Sequence, residues 1–129
     1  MSVAAAHFVL FVRDQRASAA FYRRVLAVEP RLDVPGMTEL SLGDGCVLGL
    51  MPRDGIARLL EGRADPRGPA GLARAELYLL VDDPAAYHAR ALAAGAEELS
   101  PLAPRDWGHV AAYSRDLDGY VLAFAREGA

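Results

Sequence analysis

The sequence predicts an α+β fold built from two tandem βαβββ modules. Three observations predict it. The first is an ordered internal repeat. Ala19-Ala20-Phe21-Tyr22-Arg23-Arg24-Val25-Leu26-Ala27 returns as Ala85-Ala86-Tyr87-His88-Ala89-Arg90-Ala91-Leu92-Ala93. Asp44-Gly45-Cys46-Val47-Leu48-Gly49-Leu50 returns as Asp118-Gly119-Tyr120-Val121-Leu122-Ala123-Phe124. The second is a shared opening, His7-Phe8-Val9-Leu10-Phe11-Val12 against Glu76-Leu77-Tyr78-Leu79-Leu80-Val81. The third is order: all matches fall in the same sequence in both halves. Alanine matches alone are cheap in an Ala-rich chain, but an ordered set with both Asp-Gly turns is not.

Each half then reads alike. An apolar, β-rich strand opens it, at 6–12 and 75–81. A helix follows. In the first half Ala17, Phe21, Val25 and Val28 share a face by the i, i+4 rule, while Arg16 and Arg23 point away. In the second, Pro84 suits the first helical turn, where its missing N–H costs little, and Gly95 marks the stop. Three strands complete each half, near 28–34, 37–43 and 46–52, and near 96–102, 108–114 and 120–126. Asp44-Gly45 and Asp118-Gly119 precede the last strands as hairpin signals, because glycine accepts positive φ.

The chain of 129 residues reads as one domain, 1–129, with modules at 5–52 and 75–127. Residues 53–74 join them as a linker or lid, rich in Gly, Pro and Arg, with a short helix at 55–60. With 53% hydrophobic and 24% charged residues the composition is that of an ordinary globular protein. The net charge of −3 gives no basic footprint for nucleic acid. No apolar run approaches the roughly 20 residues of a membrane span. The first residues lack a charged segment leading into a long apolar core, so a cytoplasmic location is expected. The single cysteine, Cys46, excludes an intrachain disulfide and an all-cysteine zinc site. All 14 basic residues are arginine, which fits a GC-rich coding bias and leaves no lysine amine for Schiff-base chemistry. Ser41 and Ser114 lack a nucleophile-elbow context, and Gly43-Asp44-Gly45 lacks the Gly-Lys-Ser/Thr of a phosphate loop.

The doubled unit resembles the vicinal-oxygen-chelate superfamily of glyoxalases, bleomycin resistance proteins and extradiol dioxygenases. The most specific parts are Val81-Asp82-Asp83 before an Ala-rich helix, Trp107-Gly108 before a strand, and Asp116-Leu117-Asp118-Gly119. The last resembles the family's Asp-Pro-Asp-Gly turn, with Leu117 in place of Pro. The resemblance implies that the modules form a curved, cup-like mixed sheet with the helices on its outer face, and that the cup's floor holds a divalent metal in the family's enzymes, with ligands from the first and last strand of each module. Those positions here are His7, Gly49, Glu76 and Ala123. Gly49 and Ala123 cannot donate, leaving His7 and Glu76, short of the three protein ligands of catalytic zinc or of a facial triad. If Glu76 lies near His7, their ion pair favours the imidazolium and works against a metal. The expected cofactor is therefore none, with a divalent metal as the alternative.

Strand alternation names the rest of the lining. With 7, 49, 76 and 123 facing inward, Val9, Phe11, Val47, Met51, Tyr78, Leu80 and Val121 do so too. Tyr113 matches a pocket tyrosine of the fosfomycin-resistance group, and His109 and Ala111 share its face. The expected ligand-binding set is His7, Val9, Phe11, Met51, Glu76, Tyr78, Trp107, His109 and Tyr113. His109, Tyr113 and Glu76 are the candidates for chemistry. Each has a plainer reading: the aliphatic residues as core, Tyr113 as a packed tyrosine, Trp107 as a cover for a hydrophobic edge, and His109 as a solvent-facing histidine. Arg53 and Arg58 read as solvated charges rather than an anion lure, and Cys46 as a small buried thiol. Small residues at 49 and 123 are expected to widen the cup.

Apolar walls with a few polar points suit a small molecule. The leading expectation is a metal-independent, bleomycin-resistance-like binding protein that sequesters a hydrophobic or aromatic compound, such as an antibiotic or metabolite. The alternatives are a lyase, isomerase or dioxygenase with a reduced or displaced metal site, and a regulatory subunit that has lost its ligands. The resemblance further implies a bacterial homodimer.

Overall fold

The computed structural model describes residues 3–63, 66–67 and 75–128. The chain divides into two compact units, Met1–Gly68 and Pro69–Ala129. Unit 1 carries β1 (Ala6–Val12), α1 (Gln15–Leu26), β2 (Leu32–Val34), β3 (Met37–Gly43), β4 (Cys46–Pro52) and α2 (Arg53–Leu59). Unit 2 carries β5 (Glu76–Leu80), α3 (Pro84–Ala93), β6 (Glu97–Pro104), β7 (His109–Arg115) and β8 (Val121–Glu127). The fold is α+β with a βαβββ module in each unit. Each module builds its own four-stranded mixed sheet, in the orders β1-β4-β3-β2 and β5-β8-β7-β6. In both, the first and last strands pair in parallel and the others antiparallel.

Local sequence sets the element ends. Asp14 caps α1 by accepting from the Ala17 amide at 3.0 Å, and Asp83 caps α3 by accepting from Ala86 at 3.2 Å. Each cap satisfies a donor the helix itself leaves unpaired and contributes about 1 kcal/mol. Pro84 opens α3 as expected. α1 stops one residue before Ala27, which sits in the left-handed region at φ 57°. Val28 therefore lies beyond the helix, and the buried face is Ser18, Phe21, Tyr22 and Val25, while Ala17 is exposed. β2 is confined to Leu32–Val34, shorter than the 28–34 expected. The short helix begins at Arg53 rather than 55 and buries Ile56 and Ala57.

In unit 1 the core lies between α1 and the face of the sheet that carries Leu10, Val12, Leu40, Leu48 and Leu50. Phe21 and Tyr22 meet edge-on there, centroids 4.9 Å apart. Gln15 ties α1 to the β2–β3 turn. Its amide donates to the Val34 carbonyl and to Thr38 Oγ1, and its oxygen accepts from Gly36. In unit 2, Tyr87 of α3 packs on Phe124 of β8, centroids 5.3 Å apart. His88, also on α3, reaches Glu98 of β6 at 2.9 Å. Asp116 builds the second Asp-Gly turn, where its carboxylate accepts from the Asp118 and Tyr120 amides, both at 2.9 Å. Gly119 then takes φ 92°, open to glycine at no steric cost. Leu117 leaves this turn intact because the carboxylate, not a proline ring, holds it.

Candidate functional site

Alternation leaves the opposite face of each sheet to the candidate residues. In unit 2, α3 packs on the Phe124 side, so Ala123 points the other way. The register sets Tyr78 beside Ala123 on β5–β8, and Tyr113 beside Ala123 on β8–β7. The two tyrosines thus flank one methyl, two strand spacings or about 10 Å apart at their Cα atoms. Glu76, Val121 and Arg115 form the next row, and His109 and Glu127 pair near the other end.

A hydrogen-bonded aromatic cluster stands on this face. The Trp107 indole N–H donates to Tyr78 Oη at 3.0 Å. Tyr78 Oη lies 2.6 Å from His109 Nδ1, and the two rings stack at 5.8 Å and 28°. His109 Nε2 lies 3.5 Å from the Glu127 carboxylate. Trp107 is 57% exposed, so this indole is held by one polar bond rather than by burial. On the other side of Ala123, the Arg105 guanidinium sits 5.1 Å from the Tyr113 ring centroid. Arg105 is itself fixed by donation to Ser100 Oγ and to the Pro101 and Ala111 carbonyls. Burial, then the Glu76 and Tyr78 charges, push the Tyr113 phenol above its ordinary 10.0, against the pull of Arg105. Tyr113 stays a neutral hydroxyl that can donate.

Unit 1 uses the equivalent face differently. His7, Val9 and Phe11 align with Val47, Gly49 and Met51, as alternation requires. His7 Nδ1 lies 3.4 Å from Glu39 on β3, and Arg31 reaches the other oxygen of Glu39 at 3.3 Å. Gly49 does not widen anything. A Cβ there would meet Val9 Cγ2 at 3.2 Å and Met37 Sδ at 3.3 Å, so neighbours already fill the space.

His7 is engaged by Glu39, Gly49 and Ala123 offer no donor, and among the described residues no three His, Cys, Asp or Glu side chains group together. A groove of about 990 Å³ lies beside α1, but Arg13, Arg16, Arg23, Asp14 and Asp33 line it. Such charged walls suit solvent better than an apolar ligand. Sequence reasoning missed Glu39, Arg105 and Glu127. Glu39 shares a register row with Gly49, so alternation on β3 pointed to it. Glu127 shares one with His109, and alternation along β8 from Ala123 reached it. Nothing in the sequence marked Arg105.

Paired βαβββ modules, each with a helix on one face of its sheet and candidate residues on the other, define a class. The chain belongs to the Glyoxalase/Bleomycin resistance protein/Dioxygenase superfamily, whose family model matches residues 4–124. Solved structures repeat the fold. A glyoxalase-related enzyme from Fulvimarina pelagi is 24% identical with a TM-score of 0.79, over 95% of this chain and 87% of that one. A glyoxalase/bleomycin resistance protein/dioxygenase family enzyme from Burkholderia phytofirmans PsJN is 19% identical with a TM-score of 0.80, over 94% and 96%. TioX from Micromonospora sp. ML1 is 21% identical with a TM-score of 0.70, over 95% and 98%. At these identities the likeness is one of fold. No curated protein matches the chain.

Proposed function

We propose that the chain is a metal-independent small-molecule binding protein that sequesters a hydrophobic or aromatic compound, an antibiotic or a metabolite. The observation that carries this reading is the Trp107–Tyr78–His109 cluster beside Ala123. Aromatic faces with a few oriented polar atoms recognise flat ligands. By the family resemblance, the metal-ligand position on the last strand is Ala123, which offers only a methyl. The family resemblance adds a homodimer to the proposal, and the composition adds a cytoplasmic location.

Trp107 is the single tryptophan, so its fluorescence reports on the cluster directly. Titration with a panel of planar aromatic compounds should quench it saturably. At 100 times Kd the bound ligand should stabilise the fold by about 2.7 kcal/mol in a thermal unfolding experiment. Stabilisation by Ni²⁺ or Mn²⁺ with no response to any organic compound would overturn the reading in favour of a metal-dependent lyase, isomerase or dioxygenase.

A further inference from the structure

One arrangement of protons satisfies every contact of the cluster. The Trp107 indole can only donate, so Tyr78 Oη accepts from it. Glu127 can only accept when ionised, so the tautomer that matches it is the one with the His109 proton on Nε2, the nitrogen 3.5 Å from that carboxylate. In that tautomer His109 Nδ1 is a bare acceptor, and the Tyr78 proton goes to it across 2.6 Å. Tyr78 Oη is left with one lone pair and no proton to offer. It is half-buried, and Trp107 beside it is exposed, so a ligand can reach it. The groups that face His109 are Tyr78 from β5, Glu127 from β8 and, through Tyr78, the Trp107 indole.

We propose that Glu127, His109 and Tyr78 form a proton relay, and that its ligand is a planar weak acid, an aromatic or enolic hydroxyl, held as its conjugate base. The inference rests on the reading of this cluster as the ligand site and names the ligand's chemical class. The proton balance closes within the site. The ligand O–H bond breaks and its electron pair stays on the ligand oxygen. That proton goes to Tyr78 Oη, while the Tyr78 proton passes to His109 Nδ1. The resulting imidazolium faces Glu127, and Tyr78 now donates to the ligand anion while accepting from Trp107 and His109. Charge-assisted bonds of this kind are roughly twice as strong as neutral ones, which favours the transferred state. Tyr113, on the far side of Ala123, is kept protonated by burial and by Glu76, so it remains a second hydroxyl donor on the same face. A ligand that offers only acceptors meets a site with no free Tyr78 proton.

Two measurements test this. In the ligand-free protein, ¹⁵N shifts of His109 should show Nδ1 unprotonated and Nε2 protonated; the opposite tautomer overturns the relay. Next, 4-nitrophenol, whose absorbance separates phenol from phenolate, is titrated below its solution pKa with Trp107 quenching as the binding signal. The expected result is a bound phenolate spectrum. Tyr78→Phe and His109→Gln should keep quenching, weaken affinity roughly tenfold and return the neutral phenol spectrum. Binding as neutral phenol to the unaltered protein overturns the relay and leaves the binding function standing. So does quenching by other aromatic compounds with none by 4-nitrophenol. Absence of quenching by any aromatic compound overturns both.

Discussion

The two units share one topology and fill it differently. On the face opposite its helix, unit 1 closes Val9 and Met37 over Gly49 and commits His7 to Glu39. Unit 2 sets two tyrosines beside Ala123 and joins one of them to His109 and to an exposed Trp107. The backbone registers are equivalent: Val9 meets Gly49 as Tyr78 meets Ala123. A repeated scaffold therefore does not repeat a site. What a small residue achieves depends on its neighbours. Beside Val9 and Met37 it permits close packing, and between two tyrosines it separates two hydroxyls.

The largest effect expected from breaking this contrast is at Ala123. Ala123→Glu puts a carboxylate at a fully buried position between two half-buried tyrosines. It should abolish aromatic-ligand quenching and lower the unfolding free energy by on the order of 3 kcal/mol, read by urea denaturation. Next comes Trp107→Ala. Affinity, followed by calorimetry, should fall about tenfold because an exposed aromatic wall is lost, while thermal stability changes little. Gly49→Ala in unit 1 should show the reverse pattern. Ligand affinity stays, and stability drops by about 1 kcal/mol as Val9 and Met37 give way.

The alkaline limb of stability should belong to unit 2. The folded state holds the Tyr113 proton more tightly than the unfolded chain does. Its contribution is whole below the ordinary phenol value and is lost as pH rises through the higher folded value. Unfolding followed above pH about 10 should therefore show a loss of stability that Tyr113→Phe reduces. The smallest effect is at His7. Its pair with Glu39 leaves the histidine side chain 40% exposed, so His7→Ala should cost about 0–1 kcal/mol and leave ligand affinity unchanged.

The module plan was legible because alternation and Asp-Gly turns are local signals. The strands at 6–12, 37–43 and 46–52 stand where periodicity put them. The end of α1 was not, since Ala27 adopts a left-handed conformation that alanine does not advertise. The faces of Tyr78, His109 and Tyr113 followed from counting by twos. Their bonds did not, because Trp107 reaches Tyr78 from a loop whose path no periodicity describes. The filled space at Gly49 depends on Met37, a residue of another strand, and a glycine alone does not say whether it leaves room or removes it.

The parallel pairing of β5 with β8 has a consequence for how the protein is made. Tyr78 is synthesised early in its module, whereas Ala123 and Glu127 emerge only with β8. A nascent chain still lacking β8 holds the phenol without its neighbours. Such distant pairings close slowly, because chain entropy is lost before any contact repays it. The Tyr78 phenol thus gains its β8 neighbours only once the module's far end has been made, as a closing step of that unit's assembly rather than a property of its first strand.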